Sequence, residues 1–253
     1  MERLTDRVVL VAGAATGLGA DSARRLASEG ARVVVGDLDG AGAERTADTI
    51  RAAGGDAIAV QFDISDDDSV QKLVSTTVET YGGLDAVHVN AGDMASVRRD
   101  TDVVDIDLDV WDRTVAVNLR GHMLVTRHCV PELLARGGGA IVYTSSIASF
   151  TGEPQRPAYS ATKAGVNALA RHVASRWGRE GVRANAVTPG LILTEEIQNG
   201  VPAERLDAML ARARSTRLGR PSDVSGMVAY LISDDGTWIN GQVVNIDGGT
   251  VLR

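Results

Sequence analysis

At 253 residues with 44% apolar side chains, the chain is long enough to bury a substantial core, and at about 150 residues per domain it holds one or two. Its net charge of −7 is spread along the chain without a basic stripe, which argues against nucleic acid as a partner, and a single cysteine, Cys129, excludes an intramolecular disulfide. The opening MERLTDRVVL has no long apolar leader, no run of about 18 apolar residues occurs, and no Pro/Ser-rich linker interrupts the chain, so the expectation is one domain over 1–253 in a soluble cytoplasmic protein without a membrane partner.

The first predicted element is an apolar, β-branched run at 8–12, which passes through glycines into a helical pattern with Ala20, Ala23, Leu26 and Ala27 on one side. The alternation then repeats: strand 31–36, helix 40–53, strand 57–62, helix 66–81, strand 84–90, a long helix over 108–135, strand 140–145, helix 158–179 and strand 182–187. After a more polar helical stretch, 242–246 is the last strand. Ser65 is read as the N-cap of the helix starting at 66, with Asp66, Asp67 and Asp68 at its positive end, and Asp107 as the cap of the long helix. Strands that are continuous apolar runs separated by helices describe an α/β protein, a doubly wound, mostly parallel seven-stranded sheet with helices on both faces. In such sheets ligands bind outside the carboxyl ends of the strands, where the strand order reverses.

The first strand ends in Gly13-Ala14-Ala15-Thr16-Gly17-Leu18-Gly19. Glycines there let the backbone turn sharply and approach a pyrophosphate, whose charge the free amides and dipole of the following helix stabilise. The spacing is G-x-x-x-G-x-G, and a glycine-rich turn alone also serves ordinary strand-to-helix connections. Position strengthens the dinucleotide reading, because Asp37 stands at the end of the second strand, eighteen residues after Gly19. A carboxylate there accepts hydrogen bonds from ribose hydroxyls and repels a 2′-phosphate, and no arginine or lysine follows in Leu38-Asp39-Gly40. NAD is therefore the expected cofactor, with Gly13, Thr16, Gly17, Leu18, Gly19, Asp37 and Leu38 against it; the plain alternative for Asp37 is a turn residue.

YSATK, at 159–163, places a phenol and an ammonium four positions apart, on one face of a helix. A tyrosine with a pKa of about 10 is a poor base at neutral pH, and a neighbouring positive charge lowers that value. Moving hydride between a carbinol carbon and a nicotinamide leaves a proton to be carried to or from oxygen, so such a phenol would suit the chemistry. A surface Tyr/Lys pair is the competing reading.

The segments Gly13-x-x-x-Gly17-x-Gly19, Asn90-Ala91-Gly92, Asn118, Ser146, Tyr159-x-x-x-Lys163 and Pro189-Gly190-x-Ile192-x-Thr194 occur in an order and spacing that resemble the classical short-chain dehydrogenase/reductase family over essentially the whole chain. The resemblance implies a Rossmann-type fold and a secondary alcohol or ketone as substrate. It further implies that Tyr159 is the acid/base and that Lys163 lowers its pKa and holds the nicotinamide ribose. Ser146, thirteen residues before Tyr159 and preferred to Ser145 by the family's spacing, would polarise the substrate oxygen, and Asn118 would hold a water linking the lysine to solvent. By the same resemblance Asp63 would meet adenine, Ile64 would supply backbone groups, Asn90, Ala91 and Gly92 would pass the adenosine side, and Pro189, Gly190, Ile192 and Thr194 would hold the carboxamide.

Two positions depart from the family's pattern: Ala12 stands where a threonine or serine is usual, and Val89 where an asparagine is usual. Weaker bracing of the loops is expected from both. The segment at about 191–218 corresponds to the family's substrate lid; its mixture of charged and aliphatic residues without an aromatic suggests an aliphatic or alicyclic substrate. The four histidines, at 88, 122, 128 and 172, show no ligand spacing, so no metal is expected. Homotetramers built on the helices at 108–135 and 158–179 and on the last strand are implied by the family. Two other readings remain: an NADPH-dependent 3-oxoacyl-carrier-protein-type reductase, and a non-catalytic dinucleotide-binding regulator on the same fold.

Overall fold

Apolar runs too short for a helix and too uniformly hydrophobic for a solvated strand settle into a sheet covered on both sides. The computed structural model describes residues 2–252; of the expected span 1–253, residues 1 and 253 lie outside the described residues. In chain order the elements are β1 (Val8–Ala12), α1 (Gly17–Ser28), β2 (Arg32–Asp37), α2 (Gly40–Ala52), β3 (Asp56–Gln61), α3 (Asp67–Tyr81), β4 (Ala86–Val89), α4 (Met94–Arg99), α5 (Leu108–Val115), α6 (His122–Ala135), β5 (Gly139–Thr144), α7 (Pro157–Trp177), β6 (Val182–Pro189), α8 (Glu195–Gly200), α9 (Ala203–Arg212), α10 (Pro221–Ile232) and β7 (Val243–Ile246).

Among the described residues seven strands form one sheet in the order β3-β2-β1-β4-β5-β6-β7, and every pairing is parallel. Side chains of β1 alternate between the two cores: Val8, Leu10 and Ala12 join the α3, α6 and α7 side, while Val9 and Val11 join the α1, α2 and α10 side. The chain leaves β3 at one edge and re-enters beside β1 as β4 (Val9 pairs with Ala86), so the order reverses between β1 and β4. That reversal opens a crevice above the carboxyl ends of the two strands.

Several boundaries differ from the sequence expectation, each for a local reason. The helix expected over 108–135 is interrupted at Ala116–Gly121 by a π-helical turn, which carries Asn118. Such turns insert one extra residue and redirect side chains, often at functional sites. Asp107 caps α5 as expected, its side chain accepting from Asp109 N. Ser65 does not cap α3: Asp66 occupies the N-cap position without a side-chain bond, because the Ser65 hydroxyl is drawn instead to Asp63 Oδ1 at 2.6 Å. The short α4, absent from the sequence reading, starts at Asp93, whose carboxylate accepts from Ala95 N and Ser96 N. The polar stretch before the last strand divides: α8 and α9 bury no residue, whereas α10 buries Val224, Val228, Ala229, Leu231 and Ile232 against α1 and the sheet. Among the described residues no helix is long and apolar enough to cross a membrane.

Candidate active site

The glycine loop folds against β4 so tightly that its glycines have no substitute. Gly13 sits at φ +90, and a Cβ there would lie 2.5 Å from the backbone of Ala91; a Cβ on Gly19 would lie 1.9 Å from the Gly13 carbonyl. Gly17 sits at φ +57, where a side chain is strained, and its Cβ would touch Thr194 Cγ2 at 3.6 Å. Thr16 occupies the α1 N-cap position, but its side chain caps nothing and no acidic residue follows in the first turn. The amides at the start of α1 and the positive end of its dipole therefore face the crevice unneutralised, with Leu18 half-buried beside them, and this cradle fits a dinucleotide phosphate.

Asp37, the last residue of β2, is half-exposed and anchored at both oxygens, accepting from Ala15 N at 2.8 Å and Asp39 N at 3.0 Å. Each oxygen keeps a second lone pair, so a ribose diol could still be bound. Leu38 beside it is 56% exposed, its carbonyl held by Gln61 Nε2. Asp63, just past β3, accepts both the amide and the hydroxyl of Ser65 at 2.8 and 2.6 Å. Burial alone would raise its pKa, but those two bonds, with Arg113 nearby, hold it below the ordinary value. Ile64 is buried under the helix turn at Gly121.

The reacting corner is assembled from β5, the π turn and α7. Ser146 lies just beyond β5, where its hydroxyl accepts from Ala148 N at 3.2 Å, and it is near enough to the Tyr159 phenol to lower its pKa. Ser145, the competing candidate, is 2% exposed and spends its hydroxyl on the Lys163 carbonyl at 3.0 Å. Burial pushes the Tyr159 phenol up from its ordinary pKa, while Ser146 and Arg156 draw it down. Lys163 is 3% exposed, its Nζ donating to Thr144 O at 2.7 Å and standing 5.7 Å from the Tyr159 ring centre; burial lowers its pKa to about 8. Asn118 is fully buried on the π turn; Oδ1 accepts from Asp93 N at 3.0 Å, and Nδ2 has no partner within the protein.

Pro189 ends β6, and the strap beyond it crosses the mouth of the crevice. A Cβ on Gly190 would press to 2.9 Å of Asp247, Ile192 bridges to Gly219, and Thr194 caps α8 through Ile197 N. Asn90 joins the halves of the site, donating from Nδ2 to Gly13 O at 2.7 Å and accepting from Thr144 Oγ1 at 2.9 Å. The loops are thus not slack where Ala12 and Val89 lack polar side chains: Ala12 O accepts from the amides of Asn90 and Ala91 at 2.9 and 2.8 Å. His122 Nε2 adds a contact to Ala91 O at 2.9 Å, beside Gly92.

Sequence reasoning missed Asp100. This carboxylate, 4% exposed and fifty-nine residues before Tyr159, accepts from the Tyr159 amide at 2.8 Å and the Ala158 amide at 3.4 Å, so it caps the helix that carries the phenol. In RRDTD it reads as one more surface charge, and no local spacing marks it. Among the described residues no group of three or more His, Cys, Asp or Glu could hold a metal ion.

Residues 13–251 match a family described as enoyl-(acyl carrier protein) reductase. The chain is 41% identical over 253 residues to a protein of Bradyrhizobium diazoefficiens named "Probable short-chain type dehydrogenase/reductase", covering 100% of this chain and 90% of that one. It is 38% identical over 248 residues to the cis-4-hydroxycyclohexanecarboxylate dehydrogenase of Sinomonas cyclohexanicum, covering 98% of each. A solved 7α-hydroxysteroid dehydrogenase complexed with NADH and 7-oxo glycochenodeoxycholic acid superposes with a TM-score of 0.92 at 28% identity, over 99% of this chain and 96% of that one.

Proposed function

The chain belongs to the short-chain dehydrogenase/reductase family and is an oxidoreductase of it, and on that premise we propose that it interconverts an alicyclic or aliphatic secondary alcohol and its ketone with NAD(H), using Tyr159 as the general acid/base. The observation that carries this reading is the buried Lys163, anchored to the Thr144 carbonyl at the end of β5 with its Nζ 5.7 Å from the Tyr159 ring centre. A bound nicotinamide dinucleotide supplies or accepts the hydride.

The protein's own groups do the rest. Gly13, Thr16, Gly17, Leu18 and Gly19 hold the pyrophosphate at the start of α1, Asp37 and Leu38 the adenosine ribose, and Asp63, Ile64, Asn90, Ala91 and Gly92 the adenine side. Pro189, Gly190, Ile192 and Thr194 hold the carboxamide. Ser146 donates to the substrate oxygen, and Tyr159 takes the carbinol proton in one direction and returns it in the other. Lys163 grips the nicotinamide ribose, and its ammonium, 5.7 Å from the Tyr159 ring centre, favours the phenolate. Asn118, through its buried Nδ2, supports a water path from Lys163 to solvent. The relatives named for a hydroxycyclohexane acid and a hydroxysteroid support an alicyclic carbinol. The same reading places one domain with a lid at 191–218 in a cytoplasmic homotetramer.

A carrier-linked acyl reductase using NADPH is the second reading, favoured by the description of the matching family. Asp37 opposes it, since a carboxylate there repels a 2′-phosphate. Purified protein assayed on cyclohexanol-type and steroid alcohols with each cofactor at alkaline pH separates the two. At least tenfold higher turnover with NADP would overturn the cofactor assignment, and NAD binding without turnover on any alcohol would favour a regulatory protein. Tyr159→Phe is expected to lower kcat by about 10³-fold, within the range for a lost general acid/base, with NADH affinity unchanged.

A further inference from the structure

We infer that His88 is a positioning residue: acting through Thr144, it locks the glycine loop and the Lys163 anchor into one frame. The inference rests on the dinucleotide reading of the crevice. His88 lies in β4, wholly buried, with Nε2 2.9 Å from Thr144 Oγ1. An imidazole in a strand interior is costly unless its hydrogen-bonding atoms are used.

The proton positions along the chain can be deduced. Asn90 Nδ2 donates to the Gly13 carbonyl at 2.7 Å, which only accepts, so the orientation of the amide is fixed and Oδ1 faces Thr144. Thr144 Oγ1 has one proton and gives it to that Oδ1 at 2.9 Å. Its hydroxyl can then only accept from His88, so Nε2 carries the hydrogen, and full burial, which pushes the imidazole pKa down to about 3, keeps the ring neutral with Nδ1 unprotonated. Every donor points the same way, from His88 through Thr144 and Asn90 to the Gly13 carbonyl.

Both ends of this line matter. The Gly13 carbonyl is the atom that Gly19 packs against, so its direction decides how closely the first turn of α1 approaches a pyrophosphate. Thr144 also holds Lys163, whose Nζ donates to its main-chain oxygen at 2.7 Å. One threonine therefore refers the phosphate site and the lysine to each other, and His88 holds that threonine in a single rotamer. With an apolar residue at 88 the hydroxyl would lose its donor and could turn away from Asn90.

The test compares His88→Val with His88→Gln, whose amide N–H can reach Thr144, in the full chain. NADH dissociation constants, the KM for NAD against kcat, and amide hydrogen exchange at 13–19 are measured for each. His88→Val is expected to weaken NADH binding about tenfold, as for one lost hydrogen bond, to raise the KM for NAD in step, and to speed exchange at 13–19. His88→Gln should stay within about threefold of the parent, a rescue that packing alone would not produce. Should His88→Val fail to fold, Thr144→Val, which cuts the same chain at its centre, is read in its place. Unchanged binding and exchange in the valine variant, or equal losses in both variants, would overturn the inference. A parent protein that binds no NADH would instead refute the dinucleotide reading, while the exchange measurement still decides the role of His88.

Discussion

The corner around the glycine loop and the segment at 191–218, proposed above as a lid, come together where Thr194 meets Gly17, and they are built on opposite plans. In the corner, Gly13, Asp37 and Asn90 are bound backbone to backbone or side chain to backbone, and a single added methyl group meets main chain. In the lid, α8 and α9 bury nothing, and a Cβ added at Gly200 would meet nothing within 4 Å. A phosphate is the same in every turnover and is read by close backbone approach, which tolerates few residue types. In the proposed reading a carbinol is met by side chains of a segment that buries little of itself, where many residue types serve.

The sharpest way to break that contrast is a pair of identical substitutions. Gly19→Ala places Cβ 1.9 Å from the Gly13 carbonyl and is expected to weaken NADH binding by at least about 100-fold, because the turn must open before a pyrophosphate can be held. Gly200→Ala should leave binding and turnover within about twofold, since alanine fits a helix better than glycine and has room there. NADH fluorescence titration and initial rates measure both; comparable losses at the two sites would abolish the distinction.

Asp100 sharpens the contrast from the other side, as a long-range cap on the helix that carries the phenol. It joins the end of α4 to the start of α7, where Arg156 is held in the left-handed region at φ +67 with its amide bonded to Thr101 O at 2.8 Å and its side chain paired with Glu153. Strain of this kind persists only where the surroundings impose it. Removing the cap with Asp100→Ala is expected to lower kcat about tenfold with NADH affinity unchanged, while Asp100→Asn, which keeps an acceptor oxygen, recovers most of the loss. A drop in NADH affinity equal to the drop in kcat would show that the cap serves the fold generally.

These two corners also mark how far the chain could be read without coordinates. The β–α alternation, the strand count and the glycine loop follow from local periodicity or fixed spacing, each with a local cause, whereas the preference for Ser146 over Ser145 rests only on the family resemblance. The π turn at Ala116–Gly121 was not legible, since AVNLRG continues a helical pattern and only packing selects the wider turn. The Ser65 cap failed because Asp63, two residues earlier, competes for the same hydroxyl. Asp100 and the line from His88 to Gly13 join segments about fifty to eighty residues apart, and their members look like surface charge or strand filler until the sheet order is known.

The smallest effect belongs to the lid. Arg98 of α4 pairs with Glu196 of α8, ninety-eight residues apart, with side chains 64% and 61% exposed. A pair so exposed contributes at most about 1 kcal/mol and is screened by salt. Arg98→Ala should leave thermal stability unchanged. Turnover should nevertheless rise, by less than about threefold, with a parallel rise in substrate KM, because a cover fastened less firmly releases product and substrate more readily. At about 1 M salt, where screening reaches roughly 3 Å, parent and variant should converge. A difference that survives high salt would mean that Arg98 acts by contact with the substrate and not as a latch, and the lid would then share the geometric exactness of the glycine corner.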